Sequence, residues 1–429
     1  MRKVSFLVGT ALLALTNTAR PEIAISVKAT KNMNCNAGVC MPTAQNAVLN
    51  VGDLTGMLGS GDLTVQSGNA DGTAAGITIA DGFSWTNTSR LTLTAKKNIT
   101  VKAPVTVAGT GALTLNYNQG NVDGDLPFEK KGKIDFWDTK SSLTINDRAY
   151  ALVVDVKALA DDIAANPSGR FAFAKDYDAA MDRPYKRAPI STVFQGTFEG
   201  MGHAISNLKI KDYREYAQIG FFAEVASSGV VRDIAISNVT IKTGNQYSRV
   251  GALVSQNEGT VIGSSSSGSI EGYQCDAGGL VGYSDNPETV ISRSHSSVAI
   301  SGTCAGGGLA AVSYGSILDS YASASLQGAG GGLVVVNYGT VDHSFASGSL
   351  QGRGGGGLVA SNVGTISYSH ATGDVTANQA GAGGLVGGQY GTVSASYSTG
   401  NVIVVGDNYT KNCKIYFAAG GLAGFAARG

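Results

Sequence analysis

From residue 250 onward the apolar residues fall in short alternating runs, as in "TVDHSFASGSLQG", and the breaks between runs are filled by Gly, Ser and Asn. A period of two predicts strands, each only a few residues long. No intervening stretch has helical spacing, and two-residue hairpin turns are not written at the joints, so the strands must be connected in another way.

The runs recur. Aligned on the Leu of the Gly-Gly-Leu step, the repeats place Leu253, Leu280, Leu309, Leu333, Leu358, Leu385 and Leu422 in one column, at intervals of 27, 29, 24, 25, 27 and 37 residues. A repeated strand-turn-strand unit of this length is met by a parallel β-solenoid, each repeat forming one coil stacked on the last at about 4.8 Å. Two further inward columns follow: Val261, Ile291, Ile317, Val341, Ile366, Val393, and Ile270, Ile300, Leu326, Leu350, Val375, Val402. The glycine pair before each Leu marks a sharp turn at positive φ or a close approach of backbones. Beside the Ser column (Ser264, Ser294, Ser320, Ser344, Ser369, Ser396) runs a row of mostly ring residues: Ser265, His295, Tyr321, Phe345, His370, Tyr397. These rings can stack on each other or face a sugar.

Upstream, strand patterning runs from Ala47 to Tyr117 and predicts a first, less regular solenoid section. Residues 155–166 break the pattern. Val156, Leu159 and Ile163 share a helical face, Asp155 can cap the start, and Asn166-Pro167-Ser168-Gly169 ends it. The expected fold is therefore all-β, a right-handed parallel β-helix with one short flanking α-helix. The expected divisions are a leader at 1–26, a solenoid section at 27–150, a helix-containing insertion at 151–189 and the repeats at 190–429.

The leader is read from Arg2 and Lys3 followed by the apolar run Val4 to Leu15, with Ala19 and Ser26 as alternative ends. No later stretch has the roughly 18–20 apolar residues of a membrane span. An exported protein, secreted or at the cell surface, is expected. The five cysteines fit an oxidising compartment. Cys35 and Cys40 are close enough to bridge locally, and Cys275 and Cys304 each stand five residues before their Leu, in one column on successive coils, within bonding range. Cys413 is left over. The chain carries 31 basic and 31 acidic residues, its charged fraction of 14% is low, and no basic stripe interleaves with aromatics, which excludes nucleic acid as a partner.

Chemistry is harder to find. The outward column Ser269, Ala299, Ser325, Ser349, Asp374, Asn401 holds a single acid, whereas a β-helical polysaccharide-cleaving enzyme needs carboxylates on neighbouring coils. Asp176, Asp178 and Asp182 with Arg183, Lys186 and Arg187 read as a solvated loop of mixed sign. Asp123-Gly124-Asp125 points weakly to Ca²⁺ but lacks the EF-hand spacing. The four histidines do not pair at metal-ligand spacing, and no cofactor or catalytic residue is assigned. Candidate surface-binding residues are Tyr321, Phe345, Tyr397 and Tyr409.

The segment "GGLVASNVGTISYSHATGDV" resembles the GLUG motif, and "FQGTFEGMGHAISNLKI" followed by "IGFFAEV" resembles the lead-in to such repeats; together they cover about residues 190–429. The N-terminal section resembles exported bacterial adhesins of the filamentous-haemagglutinin kind. This resemblance implies a structural or adhesive rod, not an enzyme, whose partners are a host surface, extracellular matrix or glycan, delivered with an outer-membrane secretion partner. The Asn-Pro motifs of that family's secretion domain are missing near the start; Asn166-Pro167 and Asn286-Pro287 stand in a different context. The chain also stops midway through a repeat, as a truncated passenger would. The alternative reading is a β-helical polysaccharide lyase or glycosidase.

Overall fold

Each repeat contributes too little apolar surface to fold alone, so burial requires that coil lie on coil. The computed structural model, which describes residues 22–68, 75–119, 123–244, 247–273, 276–302, 305–378, 381–405 and 419–426, shows this arrangement as a parallel β-solenoid of about 13 turns with two helices. One coil runs Asp276–Gly278, Val281–Ser284, Val290–Ser292 and His295–Gly302; Ala305–Gly307 then starts the next coil directly against Asp276–Gly278. Three long sheets result. A first face of 8 strands carries Val281–Ser284, a second of 16 carries Val290–Ser292, and a third of 20 carries His295–Gly302.

The register is the one the columns predict. Val261 pairs with Ile291, then Ile317, Val341, Ile366 and Val393 in turn. Ile270, Ile300, Leu326, Leu350, Val375 and Val402 pair in the same way. Leu253 through Leu385 are fully buried, while Leu422, on the last described coil, is about half exposed.

The glycine pairs need a correction. None of the residues Gly279, Gly308, Gly332, Gly357 and Gly384 has positive φ. A Cβ on Gly332 would lie 1.9 Å from the carbonyl oxygen of Gly357 one coil on, so close approach alone selects glycine. Positive φ is found elsewhere, at the turn between the second and third faces, where Asp233, Arg293, Asp319, His343, Tyr368 and Ala395 all adopt it.

The sequence expectation of one helix is also incomplete. Val51–Ser60 (α1) is helical within the stretch read as strands, and Val156–Ala165 (α2) is the helix expected. In α2, Asp155 accepts from Ala158 N at 2.7 Å, and Val156, Leu159 and Ile163 are buried as foreseen. In α1, Asn50 accepts from Gly52 and Asp53 N, and only Leu54 and Leu58 are buried. Three glycines in its ten residues hide it from propensity.

Glu22–Ser26, assigned above to the leader, is a strand of the solenoid. It pairs with Val48–Asn50 and Gly76–Ile79 and buries Ile23 and Ile25 completely. The 16-stranded sheet runs from Met33–Asn36 to Thr392–Ser394, so upstream and repeat regions share one continuous face. Two apolar cores lie beneath it, one drawn mainly from residues 23–145 and the other from 153–386. At their junction Ser142–Ile145 and Arg148–Val153 pair antiparallel across a turn at Asn146 and Asp147, both at positive φ.

Candidate functional site

Stacking in register turns each repeat position into a ladder. Along the Ser column every backbone N–H donates to the next coil's hydroxyl: Ser264 to Ser294 at 3.2 Å, then Ser294 to Ser320, Ser320 to Ser344, Ser344 to Ser369 and Ser369 to Ser396 at 3.1 Å. Each hydroxyl in turn donates to a carbonyl two residues back, as Ser344 does to Asp342 O at 2.8 Å. A second buried ladder, not foreseen from sequence, passes through Asn337, whose amide donates to Asn362 Oδ1 at 2.8 Å, and Asn362, which donates to Gln389 Oε1 at 3.2 Å.

The ring column stacks as a continuous ladder. Centroids of His295, Tyr321, Phe345, His370 and Tyr397 follow at 4.7, 4.8, 5.1 and 5.0 Å, with planes within 8° of parallel. Tyr321 and Phe345 are half-buried, both ring faces covered, so neither offers a free face to a sugar; Tyr397 is exposed. Burial in this stack lowers the pKa of His295. Tyr409, Cys275, Cys304 and Cys413 lie outside the described residues. Cys35 and Cys40 form a disulfide, facing each other across the hairpin Met33–Asn36 and Val39–Pro42.

The acidic candidates are spent on structure. Asp176 accepts from Lys133 Nζ at 2.9 Å and lies 3.2 Å from Nδ1 of the fully buried His203; these contacts, His203's first, hold its carboxyl below the ordinary range. Asp178 caps a short 3-10 turn through Ala180 N and accepts from Asn207. Asp182 accepts from the hydroxyls of Tyr177 and Tyr185 at 2.8 and 2.7 Å. Asp125, of the Asp-Gly-Asp step, faces two guanidiniums, Arg232 at 2.7 Å and Arg293. Among the described residues no group of three His, Cys, Asp or Glu could hold a metal ion, and no helix is long and apolar enough to cross a membrane.

Arg232 is the centre of a buried cluster. It reaches Asp125, Asp233 at 2.8 Å and Glu199 at 3.0 Å, and donates to the hydroxyl of Tyr117 at 3.2 Å. Burial raises the carboxyl pKa of both Glu199 and Asp233 against the pull of Arg232. The cluster ties residues 117–125 of the first core to 199–233 of the second.

With its acids tied down, the 176–187 loop turns its cations to one side. Arg183, Lys186 and Arg187 make no ion pair among the described residues, and they line an open cleft with Lys211, Arg214, Tyr216, Tyr247, Arg249 and Tyr283. It comprises two pockets of about 580 and 760 Å³ whose walls share Arg187 and Arg214. Its floor is built on in-register positions Gln218, Arg249 and Asp276. Arg249 donates to Gln256 at 2.7 Å and lies 4.5 Å over the ring of Tyr283, which donates to Asp276. One coil on, Ala305 and Val312 occupy these columns, so the polar floor belongs to three coils only. Tyr216 and Tyr247 stack at 5.5 Å and are 71% and 64% exposed, both at positive φ.

Fold and surfaces thus define a parallel β-solenoid of stacked short repeats, with a basic, tyrosine-edged cleft on one flank. No protein-family description matches the chain, including the GLUG and filamentous-haemagglutinin types it resembles. It is 28% identical over 253 residues to halomucin of Haloquadratum walsbyi, a similarity that covers 56% of this chain and 2% of that protein. Among solved structures it is similar to an IgA1 protease (20% identity, TM-score 0.40, 65% of this chain and 23% of the other). A Bacteroides ovatus protein provisionally described as an immunoglobulin A1 protease gives 17% identity and a TM-score of 0.38, over 65% of this chain and 84% of the other.

Proposed function

We propose that the chain is an exported rod whose repetitive outer surface attaches to a host surface, matrix or glycan. The observation that carries this reading is the coil-on-coil register, which runs through the repeats with local shifts at Ile236–Val239 and Gln327–Ala329. It brings outward positions back at about 4.8 Å, so that weak contacts add by avidity along the rod. The basic residues and apolar run at the start of the chain support export. The similarity to halomucin over 56% of this chain also supports the reading of an exported protein.

The test is size-exclusion chromatography of the chain mixed with neutral and acidic polysaccharides and with matrix proteins, following the size of both partners. Co-elution with intact polymer or matrix is expected. Shortened polymer means the protein is an enzyme, and absence of any co-elution removes attachment.

A further inference from the structure

We propose that the cleft bounded by Arg183, Lys186, Arg187, Tyr216, Tyr247 and Arg249 binds an acidic polysaccharide, a chain of carboxylate-bearing sugar rings, without hydrolysing it. This rests on the attachment reading and gives it a ligand class and a place.

The first argument is charge. The whole chain is neutral, with 31 basic and 31 acidic residues, yet this cleft gathers Arg183, Lys186, Arg187, Lys211, Arg214 and Arg249. Buried Asp212 grips Arg214 through both carboxyl oxygens, and Asp285 lies 3.4 Å from Arg249. Arg183, Lys186, Arg187 and Lys211 keep no carboxylate partner among the described residues. The cleft lining carries six cations against the three carboxylates Asp212, Glu215 and Asp276, and the loop's Asp176 is paired with Lys133, so positive charge is in excess and open to solvent. An unpaired guanidinium presents a planar fork that matches a carboxylate with two parallel hydrogen bonds.

The second argument is shape. Tyr216 and Tyr247 stand on successive coils with rings 12° from parallel, held out from the wall by positive φ. A bulky side chain rarely adopts that backbone, and here it aims each ring outward beside the cations. Aromatic faces flanking charged forks suit a pyranose, whose C–H face is apolar and whose carboxylate lies at the ring edge. The two pocket volumes of about 580 and 760 Å³ fall in the ~300–1,000 Å³ range of ligand sites, and Arg187 and Arg214 line both.

The third argument concerns cleavage. Asp276 accepts from Tyr283 and Asp212 holds Arg214, leaving Glu215 as the cleft's one carboxylate without a partner among the described residues. Hydrolysis of a glycosidic bond ordinarily needs two carboxyl groups flanking it, and the cleft does not offer a second free one.

The probe is polygalacturonate, with dextran, dextran sulfate and single-stranded DNA of similar length for comparison, titrated into the full chain by calorimetry at two salt concentrations. Polygalacturonate should bind, dextran should not, and the polymer should emerge at its original length. Lys186→Ala with Arg187→Ala should weaken binding at least about 10-fold and flatten its salt dependence. Tyr216→Ala with Tyr247→Ala should weaken it by a similar factor and leave the salt dependence in place. These side chains are exposed, so unchanged circular dichroism is expected in both variants. Tighter binding of dextran sulfate or DNA than of polygalacturonate would overturn the carboxylated-sugar assignment. Polygalacturonate binding that survives both double substitutions would overturn the site while leaving attachment intact. If no glycan binds but the chain still co-elutes with matrix protein, this proposal fails and the attachment reading stands; if nothing co-elutes, both fail.

Discussion

Ser344 shows how much a single small residue carries in this fold. Its hydroxyl accepts from Ser320 N at 3.1 Å and donates to Asp342 O at 2.8 Å, inside a turn where water has no access. Ser344→Ala leaves the buried Ser320 N–H unpaired, while Asp342 O keeps its bond from Asp319 N, and should cost about 1–3 kcal/mol. Ser396→Ala removes the equivalent hydroxyl at a half-buried site, which water reaches more easily, and should cost less. Denaturant midpoints of the two variants check this; equal shifts would mean that the ladder contributes nothing beyond local turn geometry. The Ser column was legible in the sequence because alignment on Leu brings the serines into line, but its hydrogen bonding was not. Likewise the glycine before each Leu was visible, while the reason for it, the carbonyl of the neighbouring coil, exists only once coils stack.

At the scale of elements, legibility followed period. All three aliphatic columns paired as aligned, because a one-residue slip would turn every inward side chain outward. The helix α2 was legible from Asp155 and three apolar residues on one face. The helix α1 was not, since Gly52, Gly56 and Gly59 argue against it and its two buried residues, Leu54 and Leu58, are too few to set a period. The ring ladder was legible as a column, with stacking one of its two readings; its five rings do stack, and Tyr397 at the end stays exposed. The cleft escaped notice for a different reason. Its charges are mixed along the chain, and its cations are gathered from residues 183 to 249 only when the coils stack.

At the scale of the molecule, two cores are joined by a continuous sheet and by the Arg232 cluster, which spans 107 residues from Asp125 to Arg232. Three carboxylates there face two guanidiniums. Because burial raises the carboxyl pKa of Glu199 and Asp233, the folded chain binds more protons there than the unfolded one. The stabilisation is therefore fully present below the ordinary carboxylate range of about 4–4.5, and is lost as pH rises through the raised folded values. Glu199→Gln cannot ionise, so its denaturant midpoint should decline less than the wild type's as pH rises from about 5 to 9. An undiminished decline would locate the titration elsewhere.

Every surface described here depends on coil lying on coil in one register, and a paired-cysteine experiment reads that register directly. Thr340 and Thr365 are partners on the second face, one coil apart, whereas Thr340 and Ser367 are offset by two residues, about 8 Å on the diagonal. With Cys275, Cys304 and Cys413 replaced by Ser, Thr340→Cys with Thr365→Cys should oxidise to a single intramolecular disulfide, its Cα spacing lying within the ~4.4–6.8 Å range that a disulfide spans. Thr340→Cys with Ser367→Cys should stay reduced under the same conditions. Bridging of the offset pair in place of the aligned one would contradict the register, and with it the ladders, the cleft floor and the rod.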